Sequence, residues 1–274
     1  MFRNVLVPLD GSELAERVLP LVAHVAPPSA LTLHLVRVVD LVPRTAFSSY
    51  MPYVDQNMMN AEMEECAAYL ERMRGQLTAQ GFQVQTKEFE GEPASTLLDY
   101  EGVAQIDLVA MCSHGRTGLA RFALGSVAER LIRYGMAPVL LARAFGPVAV
   151  PARTVIPLDG SARSQKVLEI LPSVSRDVSS QVTLLRVVPH AEDRPAAVTY
   201  LEQVVTRPEL AGLQVTTEVE DGDIASVIAA VSGNDSLVLM TTHGRTGLAR
   251  WALGSVADRI THGSTSAVLL LRQP

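Results

Sequence analysis

His114-Gly115-Arg116-Thr117-Gly118-Leu119-Ala120-Arg121-Phe122-Ala123-Leu124-Gly125-Ser126 occurs twice in this chain: the second copy, His243 to Ser255, differs only in Trp251 for Phe122. A segment selected for packing alone tolerates many apolar exchanges. Near-identity that extends to glycines, arginines and a serine therefore points to shared chemistry. Each copy reads as an anion-binding loop that leads into a helix. Glycines let backbone N–H groups approach an anion, and a helix starting at Gly125-Ser126 or Gly254-Ser255 adds its positive dipole end.

The repetition extends over the whole chain. Val5-Leu6-Val7-Pro8-Leu9-Asp10-Gly11-Ser12 returns as Thr154-Val155-Ile156-Pro157-Leu158-Asp159-Gly160-Ser161, 149 positions later, whereas the loops lie 129 apart. The first repeat thus carries 20 more residues between these motifs, most of them between Asp40 and Gly91. A chain of 274 residues exceeds the usual size of one domain. The reading is two domains, 1–144 and 152–274, joined by a short linker at 145–151 rich in Gly and Pro.

Each repeat alternates strands with helices, which implies parallel pairing and right-handed crossovers. In the first, Asn4 to Pro8 is a short apolar run closed by Asp and Gly, and the helix from Ser12 is expected to kink or break at Pro20. Leu31 to Val39 is the second strand. Met59, Met63, Cys66, Leu70, Met73 and Leu77 recur at steps of four and three, a stripe that faces a core. Phe82–Phe89, Ile106–Met111 and Pro138–Ala142 complete five strands, and Ser126–Tyr134 is helical. The second repeat places strands near 154–157, 181–188, 213–219, 237–241 and 267–271.

Composition excludes several classes. Hydrophobic residues make up 48% of the chain and charged ones 19%, which suits a buried parallel sheet and not a disordered chain. A net charge of −6 argues against general binding of nucleic acid. No apolar run reaches the ~20 residues of a membrane span, and the first residues enter a strand pattern without a signal peptide, so a cytoplasmic location is expected. Cys66 and Cys112 form neither a disulfide framework nor a metal pair. His114 and His243 lack a second His or Cys at ligand spacing, so zinc is not expected.

Ligands of open α/β sheets bind beyond the carboxyl ends of the strands, where strand order reverses. Asp10 and Asp159 follow strand one, Val38 and Val187 end strand two, and the duplicated loops follow strand four, so all can meet at one crevice per repeat. Asp10 and Asp159 can cap the first helix or meet a ribose or metal. Ser126 and Ser255 can cap the helix they begin or donate to phosphate. Arg116 and Arg245 screen phosphate charge or remain solvated. The chain has no P-loop lysine motif, no strand-linked G-x-G-x-x-G and no nucleophile with a convincing base, so catalysis is not expected.

These residues resemble the universal stress protein family, whose nucleotide motif is G-x2-G-x9-G-[ST] after strand four, with an aspartate after strand one. Nine residues separate Gly115 from Gly125-Ser126, and nine separate Gly244 from Gly254-Ser255. The resemblance covers essentially the whole chain. It implies two tandem Rossmann-like α/β domains, similar to adenine nucleotide alpha hydrolases. Each would hold a five-stranded parallel sheet in order 3-2-1-4-5 with helices on both faces. It also implies an ATP-binding stress-response or signalling protein with little or no catalysis, a magnesium ion accompanying ATP near Asp10 and Asp159.

By position the resemblance assigns adenosine contacts to Pro8, Leu9, Asp10 and Val38, and to Pro157, Leu158, Asp159 and Val187. The phosphate loops would be Met111, Cys112, His114, Gly115, Arg116, Gly125, Ser126 and Val127, and Met240, Thr241, His243, Gly244, Arg245, Gly254, Ser255 and Val256. Pairing of the two fifth strands into an internal pseudo-dimer is expected, with homodimerisation and an unidentified protein partner as further associations. The readings kept beside it are a protein-interaction scaffold whose crevices lack ATP, and a slow ATP hydrolase. One departure stands out: Cys112 and Thr241 occupy the first motif glycine. A glycine-only backbone angle there would cost affinity. If the position is the extended end of strand four, neither residue does harm, and the strand-like residues before both favour this case.

Overall fold

The structure, a computed structural model, describes residues 2–25, 27–28, 31–40, 56–113, 124–143, 150–174, 181–242 and 253–272. The apolar run of β1 (Asn4–Pro8) is buried except at its ends. The helix expected from Ser12 forms as two pieces, α1 (Glu13–Glu16) and α2 (Leu19–Val25). Pro20 falls in the first turn of α2, where its missing N–H leaves no bond unmade, so the break comes at residues 17–18. After β2 (Thr32–Val39) comes α3 (Gln56–Ala79), whose stripe of Cys66, Leu70, Met73 and Leu77 is buried with Met63 packed at its edge. Gly81 ends the α3 region with φ +93°, and β3 (Gln83–Glu90) follows. The first repeat closes with α4 (Pro93–Val103), β4 (Leu108–Cys112), α5 (Ser126–Tyr134) and β5 (Val139–Ala142).

The second repeat runs β6 (Arg153–Pro157), α6 (Ala162–Gln165), a 3₁₀ turn at 166–170 and α7 (Leu171–Val174). It continues with β7 (Gln181–Val188), α8 (Arg194–Val205), β8 (Gln214–Asp221), α9 (Ile224–Ser232), β9 (Ser236–Thr241), α10 (Ser255–Gly263) and β10 (Ala267–Leu271). Part of the extra length of the first repeat lies in α3, which has 24 residues where its counterpart α8 has 12.

The ten strands of the described residues form one sheet, in the order β3-β2-β1-β4-β5-β10-β9-β6-β7-β8. Each half has the expected order 3-2-1-4-5 with parallel pairing, and the halves meet at a single antiparallel pair, β5 with β10. Leu140 faces Leu269 there, flanked by Leu141 with Val268 and Val139 with Leu270. Successive side chains on a strand point to opposite faces. Leu140 and Leu269 accordingly join the core beneath α1, α2, α3 and α8, while Val139, Leu141, Val268 and Leu270 join the core beneath α4, α5, α9 and α10. Both cores therefore cross the seam without interruption. Among the described residues no helix is long and apolar enough to cross a membrane.

A buried imidazole in this scaffold makes stability depend on pH. The His34 ring on β2 is 6% exposed, its Nδ1 lies 2.9 Å from the Tyr100 hydroxyl, and its Nε2 is buried without a partner. Burial lowers its pKa from the ordinary 6.5, with Asp107 opposing. A depressed histidine binds fewer protons in the folded than in the unfolded chain, so stability is full above pH 6.5 and is lost as pH falls from 6.5 through the folded value. His24 is shifted the same way by burial. Urea unfolding midpoints between pH 7.5 and 5.5 should therefore fall less steeply in His34→Phe than in the parent, with a residual slope from His24. Equal slopes would show that His34 takes up its proton as readily folded as unfolded.

Candidate functional site

The site lies beyond the carboxyl ends of β1, β2 and β4. In the sheet β1 is flanked by β2 on one side and β4 on the other, which makes the β1/β4 boundary the reversal point. Leu9 N–H donates to Val36 O at 2.8 Å, continuing the β1/β2 ladder one residue beyond the strand so that Asp10 emerges at its tip. The turn needs a left-handed residue, Gly11 with φ +84°, where a Cβ would lie 3.1 Å from an Arg37 guanidinium nitrogen.

Asp10 does not cap α1. Its Oδ1 accepts the Ser12 N–H at 2.9 Å and the Ser12 hydroxyl at 2.6 Å, and Ser12 Oγ accepts the Ala15 N–H at 3.2 Å. Serine is the cap and aspartate orients it, so the capping role that the sequence allows Asp10 belongs to Ser12. The second repeat matches: Asp159 Oδ1 accepts from Ser161 N–H (2.9 Å) and hydroxyl (2.6 Å), and Ser161 Oγ accepts from Ser164 N–H at 3.1 Å. Leu158 N–H bonds Leu185 O at 2.8 Å, as Leu9 does Val36.

The far wall begins at the end of β4. Gly125 is the N-cap of α5, with φ −63° and ψ 146° and no side-chain cap, and its N–H donates to Ser113 O at 2.8 Å. Ser126 is the first helical residue and is exposed, so it does not cap the helix, contrary to one reading of the sequence. Gly254 and Ser255 stand in the same relation to α10, with Gly254 N–H bonded to Thr242 O at 2.9 Å. A helix start with no side-chain cap leaves first-turn N–H groups for an external acceptor.

Between these walls lies a cavity of about 460 Å³, within the range of small-molecule pockets. Pro8, Leu9, Asp10 and Val38 line one side of it, and Met111, Cys112, Gly125, Ser126 and Val127 the other. Of the contacts expected in the first repeat, His114, Gly115 and Arg116 lie outside the described residues, as do His243, Gly244 and Arg245 in the second. Pro157, Leu158, Asp159 and Val187 occupy the matching ends of β6 and β7. Met240 and Thr241 end β9, and Gly254, Ser255 and Val256 open α10.

Sequence reading missed Arg37, Asp40, Glu62 and Glu65, which also border the cavity. Glu62 and Glu65 fall outside the apolar stripe of α3 and read as ordinary solvated charges. Only the presence of α3 beside the end of β2 gives them a place at the rim. Among the described residues no group of three or more His, Cys, Asp and Glu is arranged to hold a metal.

Cys112 and Thr241 are the last residues of β4 and β9, in register with Ala142 and Leu271. Among the described non-glycine residues only Gln105 has positive φ. The first motif position is therefore strand backbone that any residue adopts, and its occupation by Cys or Thr carries no conformational cost.

Surface clamps fix α5, which opens on the cavity, and its counterpart α10. Glu92 caps α4 through the N–H groups of Ala94 and Ser95 and pairs with Arg130 of α5 at 2.6 Å. Desolvation would raise its pKa, but the hydrogen bonds from Ser95, Ala94 and Arg130 outweigh it and hold the carboxyl at about 2. Asp223 caps α9 and pairs with both terminal nitrogens of Arg259 on α10, each at 2.6 Å.

The universal stress protein family profile matches residues 1–143 and, separately, 152–272. The chain belongs to the universal stress protein family. A curated member from Methanocaldococcus jannaschii, MJ0531, is 26% identical over 144 residues, covering 52% of this chain and 83% of its own. Slr1230 from Synechocystis is 24% identical over 294 residues, covering 98% of this chain and all of its own. The crystal structure of a universal stress protein from Archaeoglobus fulgidus superposes with a TM-score of 0.76 at 20% identity, over 99% of this chain and 98% of that one. Tandem organisation over the full length thus has counterparts both in sequence and in fold.

Proposed function

We propose that this universal stress protein binds ATP in its first crevice, and by the matching residues in its second, and acts as a nucleotide-dependent stress-response or signalling protein with little or no turnover. The observation that carries the reading is a cavity at the sheet's reversal point, bordered by the start of α5, which no side chain caps. The base and ribose would lie against Pro8, Leu9, Asp10 and Val38, and the phosphates against Gly125, Ser126 and Val127. Asp10, its Oδ1 anchored to Ser12, offers a carboxylate for ribose hydroxyls or for a magnesium ion carried in by the phosphates. Bound magnesium would neutralise phosphate charge beside Asp40, Glu62 and Glu65.

Mass spectrometry of ligand released from freshly purified protein, followed by calorimetric titration with ATP and magnesium, tests the proposal. Adenine nucleotide in the released fraction, or saturable binding of at least one ATP per chain, is expected. The absence of both a released adenine nucleotide and a binding isotherm would overturn it in favour of a protein-binding scaffold.

A further inference from the structure

Arg143 directly follows β5, and its guanidinium reaches across the seam to the end of α10. Nη2 donates to Ile260 O (2.6 Å), Nη1 to Thr261 O (2.6 Å) and Nε to Ser266 O (2.8 Å). Arg272 directly follows β10 and does the converse, donating from Nη2 to Ile132 O and, at 3.4 Å, to Leu131 O at the end of α5. A cation at a helix C-terminus donates to the last carbonyls and favours the dipole, and here it adds to the bonds that Ile260 O accepts from Ser264 N–H and Leu131 O from Gly135 N–H. Burial lowers the Arg143 pKa to about 10, so the group remains a cation at neutral pH.

What makes these contacts more than an interface is where each arginine is rooted. Ser113 N–H donates to Ala142 O at 2.9 Å, next to Arg143, and Ser113 O accepts from Gly125 N–H at 2.8 Å at the first crevice. Thr242 N–H donates to Leu271 O at 3.0 Å, next to Arg272, and Thr242 O accepts from Gly254 N–H at 2.9 Å at the start of α10. The bonds close a ring: from Gly125 through Ser113, Ala142 and Arg143 to the end of α10, along that helix to Gly254, through Thr242, Leu271 and Arg272 to the end of α5, and along it back to Gly125.

We infer that Arg143 and Arg272 couple the two crevices, each guanidinium rooted beside one crevice and holding the far end of the helix that opens on the other. The coupling rests on the nucleotide reading of the crevices; the crossing of the arginines does not. An α-helix of nine residues spans about 13 Å and moves as a rigid body on this scale. An anion that orders the first turn of α5 thereby restrains its last turn, Arg272 and the strand end beside Thr241. Coupling between sites is reciprocal in binding free energy, so occupation of the second crevice acts on the first by the same factor.

Hydrogen exchange of the whole chain, read helix by helix, tests this. In the free protein, Arg272→Gln should speed exchange of the last turn of α5 by about tenfold and leave α10 near the parent, and Arg143→Gln should do the reverse. In Ser255→Glu, which places a negative charge at the second crevice, ATP at the first should still slow exchange at the end of α10, and adding Arg143→Gln together with Arg272→Gln, which opens both arms of the ring, should abolish that slowing. If the glutamine variants do not fold, Arg143→Lys and Arg272→Lys, which keep the charge and lose the fork, carry the same comparisons. Faster exchange confined to the arginine's own repeat, or equal in both, overturns the crossing. ATP protection of α5 with no change at α10 overturns the coupling. ATP protecting neither helix in the parent overturns the nucleotide reading and the coupling with it, while the free-protein data still decide the crossing.

Discussion

Leu269→Ala is expected to lower the unfolding free energy by about 2–5 kcal/mol, the range for truncating a fully buried leucine. Leu269 has no solvent exposure and stands opposite Leu140, equally buried, in the antiparallel pair that joins the two halves of the sheet. The loss has two parts, the transfer energy of the removed carbons and the cavity left where neighbours cannot collapse. Strands on both sides, β9 and β5, fix the backbone there, so collapse is limited. Against a typical stability of about 5–15 kcal/mol this is a large fraction. Leu140→Ala should cost a similar amount, and the double variant less than the two together, because both truncations open one shared cavity. Urea unfolding followed by circular dichroism is the measurement. A lowered midpoint at an unchanged slope identifies a loss of native packing. A change below about 1 kcal/mol, the size of an ordinary surface effect, would mean that the seam is a contact between independent halves and not part of a common core.

That seam illustrates what was legible in advance. Val139-Leu140-Leu141 and Val268-Leu269-Leu270-Leu271 are apolar at every position, which marks strands covered on both faces, and duplication of the chain gave each a partner of its own kind. The α3 stripe was equally readable because helical spacing survives any tertiary context. Errors came where one residue of offset decides a role. Gly and Ser are both good N-caps, so Gly125-Ser126 has two local solutions. The hydrogen bond from Gly125 N–H to Ser113 O, twelve positions away, selects the one with Gly125 as cap. The same limit applied to Asp10, where Asp and Ser two residues apart compete for one cap. Arg143 and Arg272 could not be read at all. Each is an unremarkable residue after a strand, and its partners lie more than a hundred positions away, across a pairing that only the assembled sheet brings about.

Ser126→Glu should weaken ATP binding at the first crevice by about tenfold or more while leaving thermal stability unchanged or slightly raised. The opposite signs follow from the position. Ser126 is the first residue of α5 and is exposed, so a longer side chain displaces nothing packed. A carboxylate in the first turn interacts favourably with the helix dipole, by about 0.3–1 kcal/mol at an exposed site. The same carboxylate occupies the field that would receive phosphate. Two like charges about 6 Å apart at an effective dielectric constant of about 40 repel by about 1.4 kcal/mol, a factor of ten in affinity. A triphosphate presents more than one charge, so the loss should exceed this at low salt and shrink as salt rises. Ser255→Glu should do the same at the second crevice, and the double variant should remove binding at both. Titration calorimetry at two ionic strengths, beside thermal unfolding, reads both signs. Weakened binding together with a fall in melting temperature would mean that the residue serves the fold. Full affinity with a stabilised helix would place the phosphates elsewhere. Only loss of affinity at undiminished stability ties the anion to the start of α5, because the change that harms binding is one the helix itself prefers.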